Sequence, residues 1–190
     1  KGDNNVDALL FDIPEIWASN EAYDNVTSTT ITYSFVENSN FFVSGYNEPD
    51  PLIDQIYAFS DNQQAAVKLA LDQFSNIADI TFVKVKETLS EVGTLRFGFT
   101  DHVYNNDDDV WGWSAIPSTT PTGGDIWVSS QEKDETFIRG KDFNFASIMH
   151  EIGHALGLDH PFEGTDQLPI AYDYTNYTIT SYTDPAGALF

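Results

Sequence analysis

Two periodicities organise the chain, one of period two and one of period 3.6. Over Thr29–Val36, Ile31, Tyr33 and Phe35 alternate with Thr30, Thr32 and Ser34, which predicts a strand with one buried face. Ser60 followed by Gln63 forms a capping box. Behind it Val67, Ala70, Leu71, Phe74 and Ile77 fall at helical spacing, predicting a helix to about Ile77. Ile80–Val85 and Thr94–Thr100 read as strands, the second with Leu95, Phe97 and Phe99 on one face. Val110–Ile116 and Asp125–Ser129 read as two more, separated by a Pro-Ser-Thr-Gly loop. A second long helix is predicted to start near Asp142–Phe145, with Phe145, Ile148, Met149, Ile152, Ala155 and Leu156 as its apolar stripe. Val6–Trp17 suggests a short helix limited by Pro14, and Asn38–Pro51 and Asn105–Asp109 suggest loops. Pro161–Phe190 is polar and turn-rich.

Strands gathered ahead of a final helix, with another helix packed on the sheet, predict an α+β domain. One domain over residues 1–190 is expected, with a sheet-bearing lobe over 1–157 and a smaller, irregular lobe over 158–190. The cleft is expected between them, and Val110–Ile116 is the expected edge strand beside it, able to pair with an extended peptide. The chain of 190 residues, 41% apolar and 14% aromatic, suits one globular core. No apolar run is long enough to span a membrane. With 8 basic and 30 acidic residues the formal charge is −22, which disfavours nucleic acid as a partner. Cysteine is absent, so there is no disulfide framework.

The chemistry concentrates in His150-Glu-Ile-Gly-His-Ala-Leu-Gly-Leu-Asp-His160, which fits the zinc-protease pattern H-E-x-x-H-x-x-G-x-x-H and holds three of the chain's four histidines. Helical residues four apart lie on one face, so His150 and His154 can grip one ion at about 2.0–2.1 Å. Glu151, turned roughly 100° about the axis, can lean beside the metal without ligating it. Gly157 tolerates the left-handed conformation that ends a helix, and the reversal can return His160 as third ligand. Three protein ligands leave a fourth position for water, the mark of a catalytic zinc site.

These residues resemble the metzincin metalloproteases, and within them the serralysin-like secreted bacterial proteases (peptidase family M10). His160 is followed by Pro161. Gly124-Asp125-Ile126-Trp127 resembles their strand ahead of the active-site helix, and Thr32-Tyr33-Ser34-Phe35 their first strand. The resemblance implies a metzincin-type zincin fold: a mixed twisted sheet, two main helices and an irregular C-terminal subdomain. It also implies a secreted, extracellular zinc endopeptidase acting on protein or peptide substrates, with Glu151 as general base. Tyr182, at the end of Thr178-Ile179-Thr180-Ser181-Tyr182, matches the family tyrosine that reaches the metal or the oxyanion. In that segment Thr180 stands where the family carries methionine. A shorter, polar residue there is expected to support the metal's ligands less firmly. No G-G-x-G-x-D calcium-binding repeat is present, so either a trimmed catalytic region or a departure from the family is expected.

Outside the motif the chemistry is sparse. Asp107-Asp108-Asp109 offers the oxygen ligands calcium takes, but without EF-hand spacing it reads first as a solvated acidic turn. His102 reads as a surface residue, and Trp111, Trp113 and Trp127 as strand packing. A monomer is expected. The competing readings are a catalytically weak or inactive protease-like binding or adhesion domain, against which the intact Glu151 speaks, and zinc hydrolysis of a non-peptide substrate.

Overall fold

The structure, a computed structural model, describes residues 8–11, 29–37, 56–101, 109–139 and 142–185. Six strands form one sheet: β1 (Thr29–Phe35), β2 (Ile56–Tyr57), β3 (Ile80–Lys84), β4 (Leu95–Thr100), β5 (Gly112–Ser114) and β6 (Asp125–Ser129). Among the described residues the helices are α1 (Asp61–Ser75) and α2 (Phe143–Ala155), with a short 3-10 turn over Ser130–Glu132. The sheet order is β3-β1-β4-β6-β5, with β2 pairing β4. Pairs β1/β3, β1/β4 and β4/β6 are parallel, whereas β2/β4 and β5/β6 are antiparallel. This mixed sheet with two helices is the α+β architecture the pattern of the chain predicts.

Ile31, Tyr33 and Phe35 are all buried, as their alternation requires, and Leu95, Phe97 and Phe99 are fully so. They meet Val67, Ala70, Leu71 and Phe74 of α1 and Ile148, Ile152 and Ala155 of α2 in one core. Ser60 caps α1 as expected: Gln63 N–H donates to Ser60 Oγ, and the Gln63 side chain accepts from Ser60 N–H. The same Gln63 amide donates to the carbonyls of Lys133 and Glu135, pinning α1 to the approach to α2.

Three expectations change. Ile77 lies beyond the end of α1, whose C-cap is Asn76, and is 84% exposed. The predicted Val110–Ile116 strand shortens to Gly112–Ser114, although it is the sheet's edge as anticipated. The strand predicted to run to Val85 stops at Lys84.

The far face of β4 is also buried, which alternation does not predict. Arg96, Gly98 and Thr100 are each on it. At Gly98 an added Cβ would stand 2.7 Å from the Trp127 ring, so glycine makes room for the indole. Arg96 pairs through two hydrogen bonds, of 2.7 and 2.8 Å, with the buried Glu87. Glu87 belongs to the connection from β3 to β4, which must cross β1 because β1 lies between them. Gly93 of that connection lies against β1 so closely that a Cβ would fall 2.3 Å from Ser34 N. Ser34 Oγ accepts from Gly93 N–H and donates to Glu87, closing the network.

Of the expected Val6–Trp17 helix, residues 8–11 are described. They form a turn and a bridge, Leu10 to Leu158, and the rest lies outside the described residues. The Asn38–Pro51 loop also lies outside them. After α2, residues 158–185 contain neither helix nor strand, as expected. Side chains hold this tail: Ser181 Oγ donates to Asp173 at 2.6 Å and Thr175 Oγ1 to Asp184 at 2.9 Å.

Candidate metal centre and cleft

Helix α2 starts where Asp142 caps it, its Oδ1 accepting from Phe145 N–H at 2.9 Å. It ends in a Schellman turn: Gly157, at φ 105°, donates its N–H to the His154 carbonyl, and Leu158 N–H donates to the Gly153 carbonyl. Chain reversal at Gly157 brings His160 back to the helix, as its spacing anticipates. A strap from near the N-terminus holds this turn in place. Phe11 N–H donates to the Gly157 carbonyl, Asp159 N–H donates to the Leu9 carbonyl, and the Phe11 ring lies 5.8 Å from that of His154.

The Nε2 atoms of His150, His154 and His160 stand 2.9, 3.1 and 3.3 Å apart. His150 Nδ1 lies 3.0 Å from the Ile179 carbonyl and His154 Nδ1 2.7 Å from that of Leu158. A carbonyl only accepts, so in each neutral ring the proton is on Nδ1 and Nε2 presents its lone pair. Burial favours the neutral form of both rings. Burial first, then the neighbouring His154, brings His150 down to about 4, and burial lowers His154 as well. Lone pairs converging on one point repel unless a cation lies among them. Ligands held tetrahedrally at 2.0–2.1 Å would be separated by roughly 3.3 Å, close to the spacing here. The donor set therefore fits zinc.

His160 Nδ1 is buried without a hydrogen-bond partner among the described residues; Glu163 Oε2 is 3.3 Å away. The Phe162 ring stacks on His160 at 5.0 Å between centroids.

Glu151 is only 8% exposed, and burial pushes its carboxyl up to about 7. Ser114 Oγ of edge strand β5 donates to Glu151 Oε2 at 2.9 Å and opposes that rise. Tyr182 stacks on His150 with ring centroids 5.3 Å apart and lies 4.7 Å from His160. The residue is 68% exposed and lines the adjoining cleft. Thus the structure brings together His150, His154, His160, Glu151 and Tyr182, all singled out from sequence. Ser114, Ile179 and the Leu9–Phe11 strap join them without any local sequence signal.

Thr180 makes a contact that its residue type does not announce. It is fully buried, and its hydroxyl donates to the Asp159 carbonyl at 2.8 Å, directly ahead of His160. This bond ties the position expected to loosen the site to the segment carrying His160.

Beside these groups opens a cleft of about 660 Å³, walled by Val110, Trp111, Phe143, Ala146, Ile179 and Pro185, with His150, Glu151 and Tyr182 also lining it. Trp111 packs against the core, as expected, and also lines this cleft, its Nε1–H donating to Asn144. Trp127 is buried strand packing, as expected. Asp109 lines the cleft as well, whereas Asp107, Asp108 and His102 lie outside the described residues.

The profile of peptidase family M10, matrixin, matches residues 53–184. The chain belongs to the matrixin family. Among curated proteins, serralysin of Photorhabdus laumondii is 26% identical over 176 residues, covering 84% of this chain and 33% of its own length. Serralysin B of Dickeya chrysanthemi is 29% identical over 146 residues, covering 74% of this chain and 28% of its own. Serralysin G of the same organism is 29% identical over 167 residues, covering 82% and 33%. The chain thus spans about a third of these relatives' length. The metzincin resemblance read from the histidine motif is borne out, and so is the fold it implied. Among the described residues no helix is long and apolar enough to cross a membrane.

Proposed function

We propose that this chain is the catalytic region of a secreted zinc endopeptidase. The observation that carries the proposal is the convergence of three imidazole Nε2 atoms beside a buried carboxylate at the rim of an apolar cleft. His150, His154 and His160 would hold zinc, which when bound supplies Lewis-acid polarisation of a carbonyl and a readily deprotonated water.

Glu151 accepts the proton of the attacking water and returns it to the leaving amine. A carboxyl poised near neutrality suits both transfers, and Ser114 fixes which oxygen faces the reaction. The Tyr182 phenol, on its exposed ring, donates to the oxygen that gains charge as the carbonyl becomes tetrahedral. Strand β5 is the sheet edge beside Glu151, so an extended peptide can add to it by main-chain hydrogen bonds while one side chain enters the cleft. Division into a sheet lobe over 1–157 and a smaller lobe over 158–190 accounts for the cleft's walls, drawn from β5 and α2 on one side and 175–185 on the other.

Cleavage of a mixed peptide library by zinc-loaded protein, with Glu151→Ala as matched control, tests this reading. Cleavage by wild type alone is expected. No cleavage by either, with zinc bound stoichiometrically, would refute it.

A further inference from the structure

We propose that Thr178 and Thr180 form a hydroxyl relay that positions His160 as a metal ligand. The relay's direction follows from proton accounting. Thr180 Oγ1 donates its one proton to the Asp159 carbonyl at 2.8 Å. The 3.0 Å contact between the two threonine hydroxyls must therefore be Thr178 donating to Thr180. Both side chains are buried, Thr180 at 0% exposure and Thr178 at 8%, so the bond between the two hydroxyls is shielded from water. Asp159 directly precedes His160, and its Oδ1 accepts from His160 N–H at 2.7 Å. Fixing the Asp159 carbonyl thus fixes the peptide plane from which His160 projects.

The same turn orients a second ligand, since the Ile179 carbonyl accepts from His150 Nδ1. It can do both because it packs directly on α2. A Cβ at Gly153 would stand 3.4 Å from Thr180 Cγ2 and 3.6 Å from Ile179 Cγ2. Two of the three histidines are therefore indexed to one four-residue turn, through one main-chain carbonyl and one side-chain hydroxyl. A residue without a hydroxyl at 180 would leave the Asp159 carbonyl and the Thr178 hydroxyl without these partners. Methionine there would also bring a longer side chain against α2. Thr180 is a positioning residue, and the inference rests on the zinc reading above.

The test compares wild type with Thr180→Val, which keeps the shape and removes the hydroxyl, and Thr180→Ser, which keeps the hydroxyl. Zinc affinity is measured by competition with a chromophoric chelator, and ligand geometry by the visible spectrum of the Co2+-substituted protein. Thr180→Val should weaken zinc binding about tenfold, the scale of lost outer-shell support, and alter the Co2+ spectrum. Thr180→Ser should retain affinity within about threefold and an unchanged spectrum. Wild-type affinity and spectrum in Thr180→Val would overturn the relay, as would equal losses in both variants. If Thr180→Val does not fold, Thr178→Val reads the same relay: weakened zinc binding is expected, and wild-type affinity would overturn it. A wild type that binds no zinc would remove the metal assignment itself, a failure separate from that of the relay.

Discussion

Replacing Arg96 with methionine keeps most of the side-chain volume and leaves the Glu87 carboxylate buried without its cation. Both side chains are almost wholly inaccessible, at 1% and 0%, and they meet through two charge-assisted hydrogen bonds. Breaking a buried pair on one side costs about 3–5 kcal/mol, mostly as the penalty of the stranded charge. Ser34 Oγ still donates to Glu87, but one neutral donor recovers only about 1 kcal/mol of that. For a domain of this size each kcal/mol moves the melting temperature by about 2–4 °C, so the remaining loss of about 2–4 kcal/mol in Arg96→Met should lower it by roughly 4–16 °C. Differential scanning calorimetry of the metal-free protein reads this directly. Glu87→Leu combined with Arg96→Met removes both charges and should recover much of the loss, because two apolar residues leave no buried ion. A loss below about 1 kcal/mol for Arg96→Met alone, or a double variant worse than the sum of the singles, would refute the reasoning.

Gly93→Ala should destabilise the metal-free protein by more than about 3 kcal/mol, because the new Cβ would meet β1 backbone rather than a movable side chain; chemical denaturation measures it, and a change under about 1 kcal/mol would count against the close crossing. Ser114→Ala removes a hydrogen bond to the buried Glu151 and should lower kcat of peptide cleavage about tenfold while zinc content stays stoichiometric; an unchanged kcat would exclude Ser114 from orienting the carboxylate. In the metal-free protein His150, held down at about 4, is neutral when folded and protonated when unfolded between there and 6.5, so its contribution to stability is lost as pH falls. Glu151, held up at about 7, has the opposite sign, being protonated when folded, so its contribution is lost as pH rises through that value. The two oppose each other in wild type, and Glu151→Gln should leave a melting temperature that falls on acidification from pH 6.5 to 4.5 more steeply than wild type's; equal slopes would refute the assignment.

The elements legible in the sequence were those whose signal is local. The His150, His154, Gly157 and His160 spacing dictates ligand convergence because helix pitch and a glycine turn convert it into geometry within one segment. The capping box at Ser60 and the alternation through β1 are of the same kind. What stayed hidden depends on partners distant in the chain. Ser114 reaches Glu151 across 37 residues and Thr180 reaches Asp159 across 21. The buried far face of β4 escaped because nothing near Arg96 announces that a chain crossing β1 will cover it.

That division explains why the contacts of Thr180 could not be read from its residue type. Judged by residue type alone, a threonine under three histidines is a weaker support than a larger apolar side chain. Judged by its partners, it is a buried donor to the Asp159 carbonyl, one residue ahead of His160. A fully buried polar side chain at a packed turn is retained at a cost unless its hydrogen bonds are made, and here both of its hydroxyl contacts are. The motif therefore determines which atoms converge, while non-local contacts such as these position the segments that carry them.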